Sequence, residues 1–126
     1  MQKIKDLKQA LATLQELVKS GNLGSDTVVR DAAIQRFEYS FELCWKSCKE
    51  WLRAVPGVEV ASPKECFREL RRLALISETE AEHCLEMVDD RNKTVHTYDE
   101  AFIKSLAMKL STYYEEMKKL GEIVSR

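Results

Sequence analysis

TVVRDAAIQRFEYSFELCWKSCKEWLRA, residues Thr27–Ala54, is the stretch on which the fold turns. Val29, Ala33, Phe37, Phe41, Cys44, Cys48, Trp51 and Leu52 form one apolar seam at helical spacing. Asp26 precedes it as an N-cap, because a carboxylate there can accept from the free amides of a first turn. Pro56-Gly57 stops it. The reading is a long helix. Tyr39 and Trp45 widen its apolar surface beyond one stripe, so it should pack against two neighbours or against another copy of the chain.

The flanking segments are also helical. Upstream, Ile4, Leu7, Leu11, Leu14 and Val18 predict an amphipathic helix over Gln2 to Lys19, with Gly21 as a left-handed cap. Downstream, Val58-Glu59-Val60 is an extended link too short to argue for a sheet. Ser62-Pro63-Lys64-Glu65 then reads as a helix start, with Ser62 as cap, Pro63 in the first turn and Glu65 reaching back. Phe67, Leu70 and Ala74 give that helix its apolar side. A pause near Ile76 precedes a second capping box, Ser77-Glu78-Thr79-Glu80, and a stripe of Ala81, Leu85 and Val88. Thr97 with Glu100 signals a last helix over about Asp99 to Val124, whose seam includes Leu106, Leu110, Met117 and Leu120. No strand and no internal repeat is predicted. The fold class is all-α: an up-down bundle of four to five helices, in one domain spanning residues 1–126.

Composition narrows the function. At 44% hydrophobic and 33% charged, the chain suits amphipathic helices and excludes a largely disordered class. A net charge of −1 supplies no global field for nucleic acid, so any contact with it needs a local patch. Lys64, Arg68, Arg71 and Arg72 form the densest basic cluster, and its simplest reading is a solvated helix face. Cys44, Cys48, Cys66 and Cys84 show no paired metal-ligand spacing, so they read as reduced core thiols and no metal or cofactor is expected. No signal peptide or apolar membrane span is apparent, and a cytoplasmic location away from any membrane is the default expectation.

The chemistry concentrates in Asp89-Asp90-Arg91-Asn92-Lys93-Thr94-Val95-His96-Thr97-Tyr98. Arg91 can hold a phosphoryl group bidentately, and His96 can move a proton near neutral pH. On a continuous helix Asn92 and His96 share a face, and Asn92 could orient the imidazole. Arg91 and His96 would sit about 140° apart round an ideal helix, so either the chain bends or two copies pool their groups. The plainer alternative pairs Arg91 with Asp89, Asp90 or Glu86 and makes His96 a helix cap. On the long helix, Arg36 and Glu38 could line the same cleft, or Glu38 and Glu42 could be a mildly repelling carboxylate pair that Lys46 neutralises.

Three blocks carry a resemblance: Ala33–Lys46, Ser62–Glu69, and Leu85–Asn92 continuing to His96-Thr97-Tyr98. They resemble nucleotidyltransferase substrate-binding proteins, which are related to the HepT toxins and the wider HEPN superfamily. The resemblance implies a helical homodimer partnered by a minimal nucleotidyltransferase in a toxin-antitoxin type system. It implies a metal-independent endoribonuclease site between two subunits, with Arg91 and His96 as the catalytic pair. Asn92 would orient His96 or meet a phosphate oxygen, and Tyr98 would be a target for adenylylation. Arg36, read from its own place on the long helix, is a candidate further phosphate contact. Relatives without a nuclease label imply an alternative: a non-catalytic subunit that binds a nucleotide or other substrate for the transferase.

Overall fold

Side-chain oxygens placed just ahead of apolar runs set the helix starts. A computed structural model describes residues 2–95 and 99–126. It contains α1 (Gln2–Lys19), α2 (Thr27–Ala54), α3 (Pro63–Arg72), α4 (Glu78–Thr94) and α5 (Glu100–Val124), with no strand among the described residues. Asp26 accepts from the amides of Val28 and Val29 at 2.9 and 3.2 Å. Ser77 and Glu80 close a full reciprocal box at 3.1 and 2.7 Å. Gly21 has a φ of 74°, the left-handed geometry expected after α1.

Three local expectations need correction. Ser62 Oγ accepts from the Glu65 amide at 3.2 Å, but the Glu65 carboxylate accepts from the Ala61 amide at 3.1 Å rather than from Ser62. The extended link leaves the Ala61 amide without a ladder partner, and the carboxylate takes it. The cap of α5 is Asp99, which accepts from the Ala101 amide at 3.0 Å. Thr97, the cap expected there, lies outside the described residues. Finally, α3 ends at Arg72, so Ala74 is not on its apolar side. Ala74 is exposed, with a φ of 60°. The Leu75 amide donates to the Leu70 carbonyl at 3.0 Å and the Ala74 amide to that of Arg71 at 2.9 Å. This is a Schellman stop with alanine at the position glycine usually takes.

The four long helices make the expected up-down bundle, with short α3 tucked between α2 and α4. Arg30–Glu100 and Phe37–Tyr113 contacts run in the same sense along α2 and α5, so those two are parallel. Asp90–Tyr113 and His83–Glu116 run in opposite senses, so α4 is antiparallel to α5. The core centres on α2. Phe37 stacks on Tyr113 at 5.6 Å and tilts against Phe41 at 6.3 Å, and Phe41 meets the edge of Phe67 at 6.4 Å. Ala33, Cys44, Cys48 and Leu52 of the α2 seam are fully buried. Gly121 lets α1 close on α5, since a Cβ there would stand 3.2 Å from Leu7 Cδ2.

All four cysteines are free and buried. Cys48 is held protonated chiefly by its hydrogen bond with Cys44, Cys66 by its bond with Cys48, and Cys84 by burial. Burial, then the bond to Asp90, pushes the Tyr113 phenol up.

Two expectations follow from these local features. Ala74→Gly relieves the left-handed strain and, after glycine's entropy cost, raises stability by about 0.5–1 kcal/mol, read as a higher urea midpoint at unchanged slope. The raised thiols and phenol contribute stability that is fully present below their unfolded values, about 8.5 and about 10. That contribution is lost as pH climbs from there toward the folded values, because the unfolded chain ionises first. Urea unfolding should therefore show lower stability at alkaline pH than at neutral pH, and a flat profile would contradict the assigned burial.

Candidate phosphate site at the end of α4

Asp90 fixes the last turns of α4. It is buried, and its carboxylate accepts from Tyr113 Oη at 2.5 Å and Lys109 Nζ at 3.1 Å. Lys109 also reaches Glu86 at 2.7 Å, and these carboxylates hold its pKa up, Glu86 foremost. Asp89 pairs with Lys64 at 2.7 Å. The three acidic residues near Arg91 in sequence are thus taken by other cations, so the plainer alternative of a local pairing is not the one the structure shows.

Arg91 instead reaches across to α2. Its Nη1 lies 3.6 Å from Glu38 and its Nη2 lies 4.0 Å from Glu42. Nη1 also donates weakly to Thr94 Oγ1 at 3.5 Å, and Nε is buried with no hydrogen-bond partner among the described residues. Guanidinium–carboxylate hydrogen bonds normally close to about 2.7–2.9 Å. These contacts are coulombic rather than bonded, so a mostly buried planar fork (its side chain is 19% exposed) keeps unused donors. Thr94 ties the corner together: its hydroxyl stands 2.7 Å from the Arg91 carbonyl and 3.2 Å from Glu38, and its one proton serves one of them at a time. Glu42 also meets Lys46 at 3.6 Å, so the carboxylate pair of α2 is neutralised from two sides.

The other expected site residues fall differently. Asn92 is exposed beside Arg91. α4 ends at Thr94 with Val95 as its C-cap. His96 and Tyr98 lie outside the described residues. Arg36 is exposed and makes no hydrogen bond or ion pair among the described residues. It sits about 160° from Glu38 round α2, so this chain does not bring it to its own Arg91. Glu38 does stand beside Arg91, one of the two roles its place on α2 allows. Thr94 carries no signal in the sequence, since a threonine at a helix end is ordinary.

The remaining polar clusters are structural. Arg71 pairs with Glu78 at 3.0 Å, Arg72 with Glu69 at 2.6 Å and Lys64 with Asp89, as a solvated helix face would. His83 Nδ1 lies 3.0 Å from Glu116. Among the described residues no set of three or more His, Cys, Asp or Glu side chains is arranged to hold a metal ion. No described helix is long and apolar enough to cross a membrane.

Residues 2–126 match the family described as nucleotidyltransferase substrate binding protein like. The chain belongs to that family. No curated protein sequence matches this family member. Among solved structures, a Thermus thermophilus protein is 43% identical with a TM-score of 0.86, covering 95% of this chain and 99% of its own. A tri-AMPylated Shewanella oneidensis HEPN toxin, in complex with an MNT antitoxin, is 20% identical with a TM-score of 0.80 over 98% of this chain and 94% of its own. A Haemophilus influenzae protein, described as revealing the fold of a substrate-binding domain of a nucleotidyltransferase, is 21% identical with a TM-score of 0.81. It covers 98% of this chain and 99% of its own. The last two likenesses establish a shared fold.

The Asp90 anchor gives a direct expectation. Asp90→Ala strands the Tyr113 hydroxyl in the core and should cost about 2–3 kcal/mol in urea unfolding. Lys109→Met should cost less, because that ammonium is partly in water.

Proposed function

We propose that this chain is the helical partner of a minimal nucleotidyltransferase and, when unmodified, a metal-independent endoribonuclease acting as a homodimer. The observation that carries the reading is the Arg91 guanidinium, sheltered from solvent yet short of close partners: among the described residues its Nε has no hydrogen-bond partner and its polar contacts are no nearer than 3.5 Å. A phosphate offers the close, bidentate partner that fork lacks. His96 follows five residues later in the sequence. In the proposed reaction His96 takes the proton of a ribose 2′-hydroxyl. The freed oxygen attacks the adjacent phosphorus, and the bond from phosphorus to the 5′-oxygen breaks. That oxygen takes a proton from His96 of the second copy, leaving a 2′,3′-cyclic phosphate and a 5′-hydroxyl. Arg91 steadies the crowded phosphate, Asn92 orients the imidazole or donates to a phosphate oxygen, and Arg36, exposed on α2, meets a neighbouring phosphate.

Silencing would act at Tyr98. Its phenolate attacks the α-phosphorus of a nucleoside triphosphate on the transferase, pyrophosphate leaves, and the bound AMP adds charge and bulk beside Arg91. The AMPylated state of the HEPN toxin structure supports this chemistry for the fold. The free buried thiols suit a reducing cytoplasm.

One observation favours a second reading, a non-catalytic substrate-binding subunit. Glu38 and Glu42 stand beside Arg91 and compete with any RNA phosphate. The test separates the two. Purified protein is incubated with RNA in EDTA, and the ends are analysed. The nuclease reading expects cyclic phosphate ends, with a loss of at least about 100-fold in His96→Ala and Arg91→Ala, as removal of an acid–base or charge-stabilising group would give. It also expects the mass of AMP on Tyr98 after co-expression with the transferase. RNA left equally intact by wild type and His96→Ala, with Tyr98 unmodified, would reject it. Nucleotide binding that Arg91→Ala weakens, without cutting, would then establish the second reading.

A further inference from the structure

A second basic feature lies away from Arg91 and is not used by the reaction above. Lys46, Lys49 and Arg53 lie at i, i+3 and i+7 on α2, so they form one stripe on its outer side. With Lys3 of α1 they line a groove of about 510 Å³. Two carboxylates, Glu50 and Glu59, share it, so the lining carries four cations against two anions. Counting Glu42, which pairs with Lys46 from just outside the lining, one positive charge stays in excess on a chain whose net charge is −1. Trp45 forms part of the same wall, with Lys49 Nζ 5.7 Å from its ring centroid and its indole N–H donating to Glu42 at 3.3 Å.

The ion pairs inside the groove are weak holds. Lys3 meets Glu50, Lys46 meets Glu42 at 3.6 Å and Arg53 meets Glu59 at 3.5 Å. All three pairs are largely in water, where such contacts are worth little and yield readily to a stronger anion. Glu42 stands between the groove and the Arg91 corner, 3.6 Å from Lys46 and 4.0 Å from Arg91. From Glu42 to Arg53 the α2 axis runs about 16 Å.

We infer that this groove is the surface along which single-stranded RNA lies as it enters the Arg91 site. Cations at helical spacing track the phosphates, and the half-buried Trp45 ring offers a face for a base. The combination of flexible cations with an aromatic wall does not require base pairing and does not read sequence, so the partner is an unpaired strand of mixed sequence. The inference rests on the RNA reading of the Arg91 site and adds the route to it. It also answers the charge problem: the acidic corner at Glu38 and Glu42 need not attract RNA if the adjoining groove does.

The experiment uses the full-length chain carrying His96→Ala, so binding is read without cutting. A fluorescein-labelled mixed-sequence single-stranded RNA is titrated by anisotropy at several salt concentrations. Lys46→Gln/Lys49→Gln/Arg53→Gln should weaken binding at least tenfold at about 0.1 M salt and lower the salt slope by about 2, as three lost phosphate contacts would. Trp45→Leu should weaken binding at unchanged slope. The matched control, Arg68→Gln/Arg71→Gln/Arg72→Gln on α3, should bind like the parent. Circular dichroism melts check that each variant folds. The inference is overturned if the parent binds no RNA, if both triple variants bind alike, or if the groove variant loses only the co-expressed transferase. Cleavage by the His96-intact protein is scored separately. RNA bound through the groove but never cut would sink the nuclease reading alone; RNA cut with the groove neutralised and binding unchanged would sink the groove alone.

Discussion

A closed circuit of contacts holds this bundle at its centre. Phe37 of α2 stacks on Tyr113 of α5, Tyr113 donates to Asp90 of α4, and the next residue, Arg91, reaches back to Glu38, the neighbour of Phe37. Three helices are thereby tied through two chain-adjacent pairs. The apolar half of the circuit supplies burial and the polar half supplies direction, because a charged acceptor for a buried phenol has few acceptable positions. The placing of Arg91 is a consequence of that circuit rather than of its own bonds.

Loose contacts in a sheltered side chain are what distinguish Arg91 from Arg30 and Arg72. Arg72 and Arg30 have carboxylates at 2.6 Å, whereas Arg91 has none closer than 3.6 Å although its side chain is more sheltered than that of Arg72. A guanidinium optimised for stability would be drawn tight against its acids. Here the backbone of α4 is pinned by Asp90 while the fork stops short. Stability and availability are divided between adjacent residues.

Much of this was legible in the chain, and the reasons are local. The α2 seam, the Asp26 cap and the Ser77–Glu80 box each combine a short-range geometric rule with residue types that satisfy it, so the helix starts and core faces follow. The end of α3 was not legible, because alanine carries no sign of the left-handed conformation it adopts at residue 74. Arg91 stood out by residue type, but its partners did not. Nearest-neighbour reasoning offered Asp89, Asp90 and Glu86, and long-range packing gave those to Lys64 and Lys109 instead. Thr94 and the α2 groove depend on what lies across from them in space, which periodicity along one helix does not encode.

Both tryptophans of the chain belong to α2, and Trp45 is packed against an ammonium on one side and a carboxylate on the other. Indole emission responds to nearby charge and to water. The molecule therefore carries a built-in optical gauge on its longest helix, and its natural fluorescence can follow events at that surface without a dye or tag.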